Sequence, residues 1–315
     1  MPVPSTQSSA PAASTATPKV WLNGRLVDEA SATVSVFDRG FLFGDGIYEL
    51  IRFVRCAKGA PSRRLGIAMD LHIARLRRSL ALAKIVGVDP ESLRTISTAL
   101  LDANDLDDAA VYVQITRGAG PSRSHIPQAG LTPTVFASVS VCEPFERLRE
   151  PGVVKAITLE DLRWKLCQIK TISLMGNILA LIEADGRGAN EAILHRDGHV
   201  GEGAYTNVFC AFGSTVVTPP VDDDPPILHG VTRADALRLA ETIGLRAEVR
   251  PISLAELRSA DEVMITSSRR LVSAVGELDG SPVGGASHRG SAGPIARSLF
   301  AAMRNECLAL AGFTT

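Results

Sequence analysis

The sequence predicts an α/β protein of the α+β kind, built from two domains. Three observations lead to this prediction. The chain has 315 residues, which is long enough for two domains. Hydrophobic residues make up 45% of it, so sizeable cores can be buried. Strand-like and helix-like segments alternate along the chain until residues 142–148, where Cys-Glu-Pro-Phe-Glu-Arg-Leu breaks the alternation.

This break divides the chain. Residues 1–18 are rich in Ser, Ala, Thr and Pro and lack the charged and apolar regions of a secretory signal, so we expect a disordered tail. A small N-terminal α/β domain is predicted for residues 19–141 and an interdomain linker for residues 142–151. A larger C-terminal α/β domain is predicted for residues 152–315.

Composition excludes several classes of protein. The formal net charge is −1 and aromatic residues make up only 5%, which argues against a nucleic-acid partner. No apolar run approaches the ~18 residues of a membrane span. The five cysteines are widely spaced without a CxxC pair, so they indicate reduced thiols of a cytoplasmic protein and neither a disulfide framework nor a metal site.

The N-terminal half begins with a hairpin signal, because Asn23-Gly24 separates two apolar runs and suits a turn with positive φ. Residues 35–46 hold three glycines among aromatic residues and predict a closely packed loop. A strand follows at residues 47–54. Its period of two places Tyr48, Leu50 and Arg52 on one face and Glu49, Ile51 and Phe53 on the other.

A helix is predicted for residues 68–85, where His72 and Arg75 are neighbours three residues apart. Arg77 and Arg78 follow them, so a solvated basic face is an equal alternative for this pair. The remaining N-terminal elements are a helix at 91–104, strands at 111–118 and 133–141, and a loop at 119–130.

The C-terminal half continues the alternation of elements. A strand starts at residue 152, and Gly186-Arg187-Gly188 suits the end of a helix. An acidic, proline-rich loop is predicted for residues 217–226. The other predicted elements are helices at 174–186, 231–243, 254–258 and from 294, and strands at 191–200, 262–266 and 271–275.

Lys170 is the first candidate for chemistry. Only six of the 33 basic residues are lysines, and this one lies in the uncharged stretch Gln-Ile-Lys-Thr-Ile-Ser-Leu-Met. Such a lysine either extends to water or is partly desolvated. A desolvated amine loses its proton more easily and can form a Schiff base with an aldehyde.

Other segments supply complementary groups. Glu202 lies on a glycine-bounded turn, and the start of a helix at Val231-Thr232 suits a phosphate. Ser267-Ser268 and the helical Arg75 suit a phosphate as well. Pyridoxal phosphate needs an amine for its aldehyde, a carboxylate for its ring nitrogen and a cradle for its phosphate. Together these pieces indicate that cofactor.

From about residue 20 to 306 the sequence resembles the fold type IV enzymes that depend on pyridoxal 5'-phosphate, most of all bacterial D-amino-acid aminotransferases. The segments that carry the resemblance are DRGFLFGDGIYELIRF, LHIARL, VYVQITRG, RSHIP, EDLRWKLCQIKTISL, NEAILHRDG, EGAYTNVF, ILHGVTR and MITSS. The resemblance implies a transaminase that moves the amino group of D-amino acids, of the D-alanine and D-glutamate type, to 2-oxo acids.

The resemblance also implies roles for single residues. Lys170 corresponds to the lysine that holds the cofactor as an aldimine (a Schiff base) and moves the proton, and Glu202 to the carboxylate on the ring nitrogen. The residues that correspond to phosphate or ring contacts are Arg75, Leu228, Val231, Thr232 and Ser268. Arg163 and Glu191 resemble residues that support this set.

Tyr48, Arg123 and His125 correspond to a trio that binds the substrate α-carboxylate. In the family the arginine and histidine come from the partner subunit, so the resemblance implies a homodimer. Taken alone, His125 is most simply a loop histidine in water.

The sequence also departs from the family. The serine-rich run after the glutamate is replaced by Ala204-Tyr205-Thr206, and the loop before Arg123 is one residue longer. Leu50 stands where branched-chain aminotransferases typically have glycine. The alternatives are an (R)-selective amine or branched-chain aminotransferase, an aminodeoxychorismate lyase, or a non-catalytic binding protein.

Overall fold

The computed structural model describes residues 17–223, 226–285 and 288–314. Residues 1–16 lie outside this range, so the disordered tail stays a prediction. Within the described ranges, no helix is both long enough and apolar enough to cross a membrane.

The first sheet has six antiparallel strands in the order β2-β1-β6-β5-β3-β4. Its strands are β1 (Lys19–Leu22), β2 (Arg25–Asp28), β3 (Gly46–Arg55), β4 (Arg64–Gly66), β5 (Ala109–Thr116) and β6 (Thr134–Val141). Apolar residues from the sheet and from the helices that follow β4 form one buried core, which includes Ile51, Leu76 and Leu100.

The second sheet has nine strands, and β12-β11-β10-β13-β14-β7-β8-β9 is the order of eight of them, while β15 pairs with β14. The pairs β11–β12, β14–β7 and β7–β8 are parallel and the others antiparallel. Its strands are β7 (Gly152–Glu160), β8 (Glu191–Arg196), β9 (His199–Gly203), β10 (Asn207–Phe212), β11 (Thr215–Thr218), β12 (Arg246–Val249), β13 (Glu262–Ser267), β14 (Leu271–Leu278) and β15 (Ser281–Pro282).

Helices cover these sheets, and several bury an apolar face in the cores. The α-helices are α1 (Arg39–Phe43), α2 (Met69–Ala83), α3 (Ser92–Ala103), α4 (Met175–Gly186), α5 (Val231–Thr242), α6 (Leu254–Ser259) and α7 (Pro294–Leu310). Short 3-10 helices lie at Glu29–Ser31 and Phe145–Arg147.

Most predicted elements are confirmed within a few residues. The hairpin turns at Asn23-Gly24 with φ of 48° and 87°, as the sequence predicts. In α2, His72 and Arg75 are 1% and 7% exposed, so the solvated basic face is wrong for these two residues. Helix α5 begins at Val231, which confirms the predicted start.

Several elements correct the sequence prediction. The loop predicted at 35–46 contains the short helix α1, because the Asp38 side chain accepts a hydrogen bond from Gly40 N and Gly44 ends the helix at φ 64°. Strands β4, β10, β12 and β15 have no counterpart in the prediction, and β11 runs through Val217 and Thr218 of the predicted loop. Except for β10, these strands have only two to four residues, too few for a visible alternation.

Each sheet lies within one half of the chain, so we propose the same two domains, 19–141 and 152–315. One C-terminal segment nevertheless pairs with the first residues of β3 in the first sheet. Tyr48 N donates to Lys170 O at 2.9 Å, and Ile172 N donates to Gly46 O at 3.0 Å. The fold therefore fixes Lys170 against a strand of the other half.

Candidate active site

A cavity of about 380 Å³ lies where the two halves meet. This volume is within the ~300–1,000 Å³ of small-molecule sites. Strand β3 and helix α2 contribute Tyr48, Leu50 and Arg75, and the C-terminal half contributes the other lining residues. Those come from segments 163–177, 202–207, 228–232 and 266–270.

Lys170 lines the cavity from a segment without regular structure. Its backbone is fixed on both sides, since Lys170 N donates to Ser79 Oγ at 3.3 Å and Lys170 O accepts from Tyr48 N. The Nζ atom lies 4.2 Å from the centre of the Tyr48 ring. Within the described part of the chain it forms no hydrogen bond or ion pair. The amine is therefore held in place while its reactive nitrogen has no polar partner there.

Glu202 lines the cavity from β9 and is only 4% exposed. Arg163 Nη1 donates to its Oε1 at 2.9 Å, and Leu228 N donates to its Oε2 at 3.1 Å. Arg163 is itself held by Asp161, to which Nε and Nη2 both donate at 2.9 Å. An aspartate thus orients the arginine, and the arginine contacts the glutamate with one nitrogen.

The pKa values of this pair follow from burial and charge. Burial raises the pKa of Glu202, and the attraction of Arg163 offsets only part of that rise. Burial also lowers the pKa of Arg163, but Asp161 and Glu202 outweigh it and the pKa of Arg163 is raised. Glu202 is consequently a carboxylate that readily takes a second cationic partner.

Helix α5 presents its first N–H groups to the cavity at Val231 and Thr232, both of which line it. The residue before the helix must be glycine, because a Cβ at Gly230 would lie 1.7 Å from Asn207 Oδ1. The turn after β13 brings Ser268 to the same cavity. Nearby, Thr266 Oγ1 is buried without a hydrogen-bond partner among the described residues.

Arg75 reaches the cavity from α2 and is held from behind by Glu49 on β3. Arg75 Nε and Nη2 donate to the two Glu49 oxygens at 2.9 and 2.7 Å, while Nη1 donates to His229 O at 3.2 Å. His72 Nδ1 lies 2.7 Å from Glu49 Oε2. This three-residue support places a guanidinium at the cavity wall.

The arrangement fits pyridoxal phosphate. An amine without a polar partner among the described residues suits the aldehyde, and a buried carboxylate with a raised pKa suits the ring nitrogen. A helix N-terminus beside an arginine suits the phosphate. The unpaired Thr266 hydroxyl is a feature that a bound polar group would explain.

The structure brings together all the residues that the sequence assigns to the cofactor. Arg75, Lys170, Glu202, Leu228, Val231, Thr232 and Ser268 all line the one cavity, and so does Tyr48 of the substrate trio. Arg163 also lines it, whereas Glu191 is buried behind it. Glu191 accepts hydrogen bonds from Ala204 N at 3.0 Å and from Thr206 Oγ1 at 2.8 Å.

Arg123 and His125 do not line this cavity. Both are exposed on the loop after β5, and the loop is attached to α1. Arg39 Nη1 and Nη2 donate to Ser124 O at 2.6 Å and to His125 O at 3.0 Å. The Arg123 guanidinium and the His125 ring lie 5.0 and 5.4 Å from the centre of the Phe43 ring.

Sequence reasoning missed several side chains that organise the site. The alternation along β3 places Glu49 on the face opposite Tyr48, and this is the face that contacts Arg75 of α2. Arg39, which fixes the Arg123 loop, gave no signal beyond its place among three glycines. Tyr205 lines the cavity and is half-exposed, so it does add bulk there.

Comparisons with known proteins agree on one family. The family model described as amino-transferase class IV matches residues 46–278. The chain is 38% identical to a D-alanine aminotransferase of Bacillus licheniformis, over 92% of this chain and 97% of that protein. It is 36% identical to a D-alanine aminotransferase of Staphylococcus aureus strain MW2, over 89% of this chain and 95% of that protein.

Solved structures show the same fold. A branched-chain aminotransferase from Thermoproteus uzoniensis, with norvaline, superposes with a TM-score of 0.81 at 26% identity, covering 93% of this chain and 96% of that chain. A T.th. branched-chain amino acid aminotransferase complexed with N-(5'-phosphopyridoxyl)-L-glutamate has a TM-score of 0.82 at 23% identity, with coverage of 93% and 95%.

Proposed function

Because the chain belongs to the class IV aminotransferase family and is a pyridoxal-phosphate-dependent aminotransferase, we propose that it moves the amino group of D-amino acids to 2-oxo acids. In this proposal Lys170 is the catalytic amine and Glu202 is the partner of the ring nitrogen. The observation that carries it is the juxtaposition in one cavity of a lysine amine, a buried carboxylate and a helix N-terminus.

The residues of this chain divide the work. Pyridoxal phosphate, when bound, supplies an aldehyde that condenses with amines and a ring that delocalises electrons. Glu202 holds a proton at the ring nitrogen, and Arg163 keeps Glu202 oriented. Arg75, Val231, Thr232 and Ser268 hold the phosphate. Lys170 Nζ would take the proton from the substrate Cα and would return it to the cofactor carbon that carried the aldehyde, on the other side of the substrate nitrogen.

Selectivity for D-amino acids follows from where the α-carboxylate is bound. Lys170 acts from one side only, so the position of the carboxylate decides which Cα–H bond faces its Nζ. We assign the carboxylate site to Tyr48 together with Arg123 and His125. The relatives that are 35–38% identical are D-alanine aminotransferases, which supports this stereochemistry over the branched-chain, amine and lyase alternatives.

The carboxylate site requires a homodimer in this proposal. Arg123 and His125 lie outside the cavity of their own chain, yet Arg39 and Phe43 hold their loop in a defined position. Large apolar side chains are exposed on α1 and α4, where Phe41 is 72% and Met175 is 69% exposed. A second copy that covers this apolar surface would bring Arg123 of the partner subunit to the cavity.

A cytoplasmic location is part of the same proposal. All five cysteines are free thiols in the structure, and four of them are buried. Burial raises the pKa of the Cys210 thiol to about 12, so this thiol is inert. Such thiols suit a reducing compartment.

Substrate comparison with Arg123→Ala tests the function. We expect kcat/KM for D-alanine and D-glutamate to fall about ten- to a hundredfold, since one charge-assisted contact contributes ~1.5–3 kcal/mol. Turnover of (R)-phenylethylamine, which lacks the carboxylate, is expected to stay within about twofold. Arg25→Ala is the control, because Arg25 is exposed on β2. A preference of the wild type for L-leucine would contradict the proposal.

Hybrid dimers test whether the partner completes the site. Lys170→Ala removes the amine of one chain, and Arg123→Ala removes the arginine of the other, so each homodimer is impaired. In a mixed dimer, the chain that keeps Lys170 receives Arg123 of the partner subunit, and D-alanine turnover is expected to recover. If mixing restores nothing, Arg123 acts within its own chain or not at all.

Borohydride reduction of the wild type tests the lysine assignment. It is expected to attach the cofactor to Lys170, and labelling of another lysine would contradict the assignment.

A further inference from the structure

The cavity carries an excess of positive charge. Among the described residues that line it, five are basic and one is acidic, namely Glu202. The five basic residues are Arg75, Arg163, Lys170, Arg269 and Arg270. Glu49 pairs with Arg75, and Asp161 and Glu202 pair with Arg163. Lys170 is the proposed catalytic amine. The two remaining basic residues, Arg269 and Arg270 in the turn after β13, have no acidic partner within the described part of the chain.

Neither side chain of this arginine pair forms an ion pair with a residue that the structure describes. Arg269 Nη2 makes a single long contact of 3.5 Å with Val141 O. The Arg270 side chain forms no hydrogen bond or ion pair with any residue that the structure describes. Both residues are exposed at the edge of the cavity, near Tyr205. Burial raises the pKa of the Tyr205 hydroxyl, and the charge of Arg270 opposes that rise.

The backbone of the turn is fixed, in contrast to the side chains. Arg52 is 4% exposed and its Nη1 donates to Arg269 O at 2.5 Å, while its Nη2 donates to Glu143 O at 2.8 Å. Leu271, the next residue, has φ of 60°. A bulky non-glycine residue rarely adopts this conformation, and residues that do so cluster at turns and functional sites. The backbone that carries the two arginines is therefore held in one defined conformation at this edge.

Strand β3 relates this turn to the proposed α-carboxylate site. Tyr48, Leu50 and Arg52 alternate along the same face of β3. Tyr48 lines the cavity at one end of the row, Leu50 lines it in the middle, and Arg52 holds the turn at the other end. A substrate with its α-carboxylate at Tyr48 and its methylene groups on Leu50 would extend toward the arginine pair.

We propose that Arg269 and Arg270 bind the side-chain carboxylate of a dicarboxylic substrate, such as D-glutamate or 2-oxoglutarate. A guanidinium offers a planar pair of N–H donors that matches a carboxylate. This inference rests on the proposed transaminase function and specifies its substrate class. The two carboxylates of the substrate then occupy separate sites. The α-carboxylate binds at Tyr48 with Arg123 and His125 of the partner subunit, and the side-chain carboxylate binds at the arginine pair.

Kinetics with matched substrates tests this site. D-glutamate and D-glutamine have the same size, but only the first has a charged side chain, and D-alanine has neither. In Arg270→Gln and in Arg269→Gln, kcat/KM for D-glutamate is expected to fall about tenfold, and further in the double variant. D-glutamine and D-alanine turnover is expected to stay within about twofold. Arg25→Gln is the control for loss of one surface charge.

Calorimetric titration of the holoenzyme gives a readout that does not depend on turnover or on substrate handedness. The probes are glutarate, which has two carboxylates, and butyrate, which has one. Glutarate is expected to bind the wild type more tightly than butyrate, and the double variant is expected to lose that advantage. Affinity for pyridoxal phosphate, titrated into the cofactor-free protein, is expected to be unchanged in each variant.

Several results would overturn the assignment. One is an equal loss for D-glutamate and D-alanine, with weaker cofactor binding, because the arginines would then serve the phosphate. Another is glutarate affinity that is the same in wild type and double variant. Failure of the wild type to use any D-amino acid would refute the proposed function. In that case a glutarate preference that the double variant loses would still support the carboxylate site.

Discussion

Two buried carboxylate–arginine pairs border the cavity, and they are built in opposite senses. In the N-terminal half, Glu49 is fully buried behind Arg75, and only the arginine lines the cavity. In the C-terminal half, Glu202 lines the cavity, and Asp161 holds Arg163 in turn. The carboxylate supports the arginine in the first pair, and in the proposed function it is the working group in the second.

The pKa values of the two carboxylates show this difference. Burial raises the pKa of Glu49, but the two-pronged contact of Arg75 and the hydrogen bond with His72 outweigh it, and the pKa falls to about 2. Burial also raises the pKa of Glu202, where Arg163 contributes one nitrogen and divides its charge with Asp161, so the pKa stays raised. Glu49 is thus neutralised by its partners, whereas Glu202 keeps part of its charge available for a further cationic partner.

The largest effect is expected on the catalytic side of this comparison, in Glu202→Gln. An amide cannot hold a proton at the ring nitrogen as a carboxylate can. We expect the single-turnover reaction with D-alanine to slow by roughly 10²–10³-fold, the size typical for one electrostatic contact in an active site. Cofactor absorbance is expected to remain, because the phosphate residues are intact. Stopped-flow absorbance measures the rate.

Glu241→Gln is the matched control, since Glu241 is exposed on α5. It is expected to react like the wild type. If Glu202→Gln reacts at the wild-type rate, Glu202 is a support like Glu49 and the contrast between the pairs disappears.

A smaller effect, on stability, is expected for Glu49→Gln. In the cofactor-free protein, removing one partner of this buried pair leaves the Arg75 charge uncompensated, which costs about 3 kcal/mol of unfolding free energy. Denaturant unfolding followed by fluorescence measures it. Glu49→Gln with Arg75→Leu removes both charges and is expected to be more stable than Glu49→Gln alone. Equal stability of the single and double variants would show that the pair is not coupled.

The residues that the sequence assigns to the cofactor line one cavity, and the signals that single them out are local. A glycine before Val231-Thr232 and a lysine in an uncharged stretch are visible in short windows. The helices and strands that the sequence predicts are mostly the longer ones, although it misses α1, with five residues, and β10, with six. Strands β4 and β12 are stabilised by pairing with β3 and β11, and the sequence alone does not show which segments will pair.

The supports of the site are less predictable because they join distant segments. Arg52 holds the carbonyl of Arg269, 217 residues further along the chain, and Arg39 holds the Ser124 carbonyl 85 residues away. Arginines are mostly surface residues, and composition does not distinguish a buried one. The strain at Leu271 also has no sequence signal, since leucine does not favour positive φ.

The smallest effect concerns His72, the third member of the Glu49 support. Burial lowers the pKa of His72, and its hydrogen bond and attraction to Glu49 offset this only in part. In the unfolded chain this histidine takes up a proton below its ordinary value of 6.5, so the unfolded state binds more protons there and stability falls as pH drops. The lowered pKa of Glu49 adds a further loss of stability as the pH drops below 4.5. Burial raises the pKa of Glu191 to about 7, so the folded state binds more protons there, and Glu191 adds stability as the pH drops from 7 to 4.5.

His72→Asn separates these contributions, because asparagine keeps a donor for Glu49 without titrating. At pH 7.5 we expect a cost of about 1 kcal/mol or less for the altered hydrogen bond. Between pH 6.5 and 5, the unfolding free energy of the variant is expected to fall less steeply, by at most ~1.4 kcal/mol per pH unit, the limit for one proton. His199→Asn, at an exposed position of β9, is expected to keep the wild-type slope. A slope that is unchanged in His72→Asn would mean that His72 is charged in the folded protein, and the support of Arg75 would then carry a second positive charge.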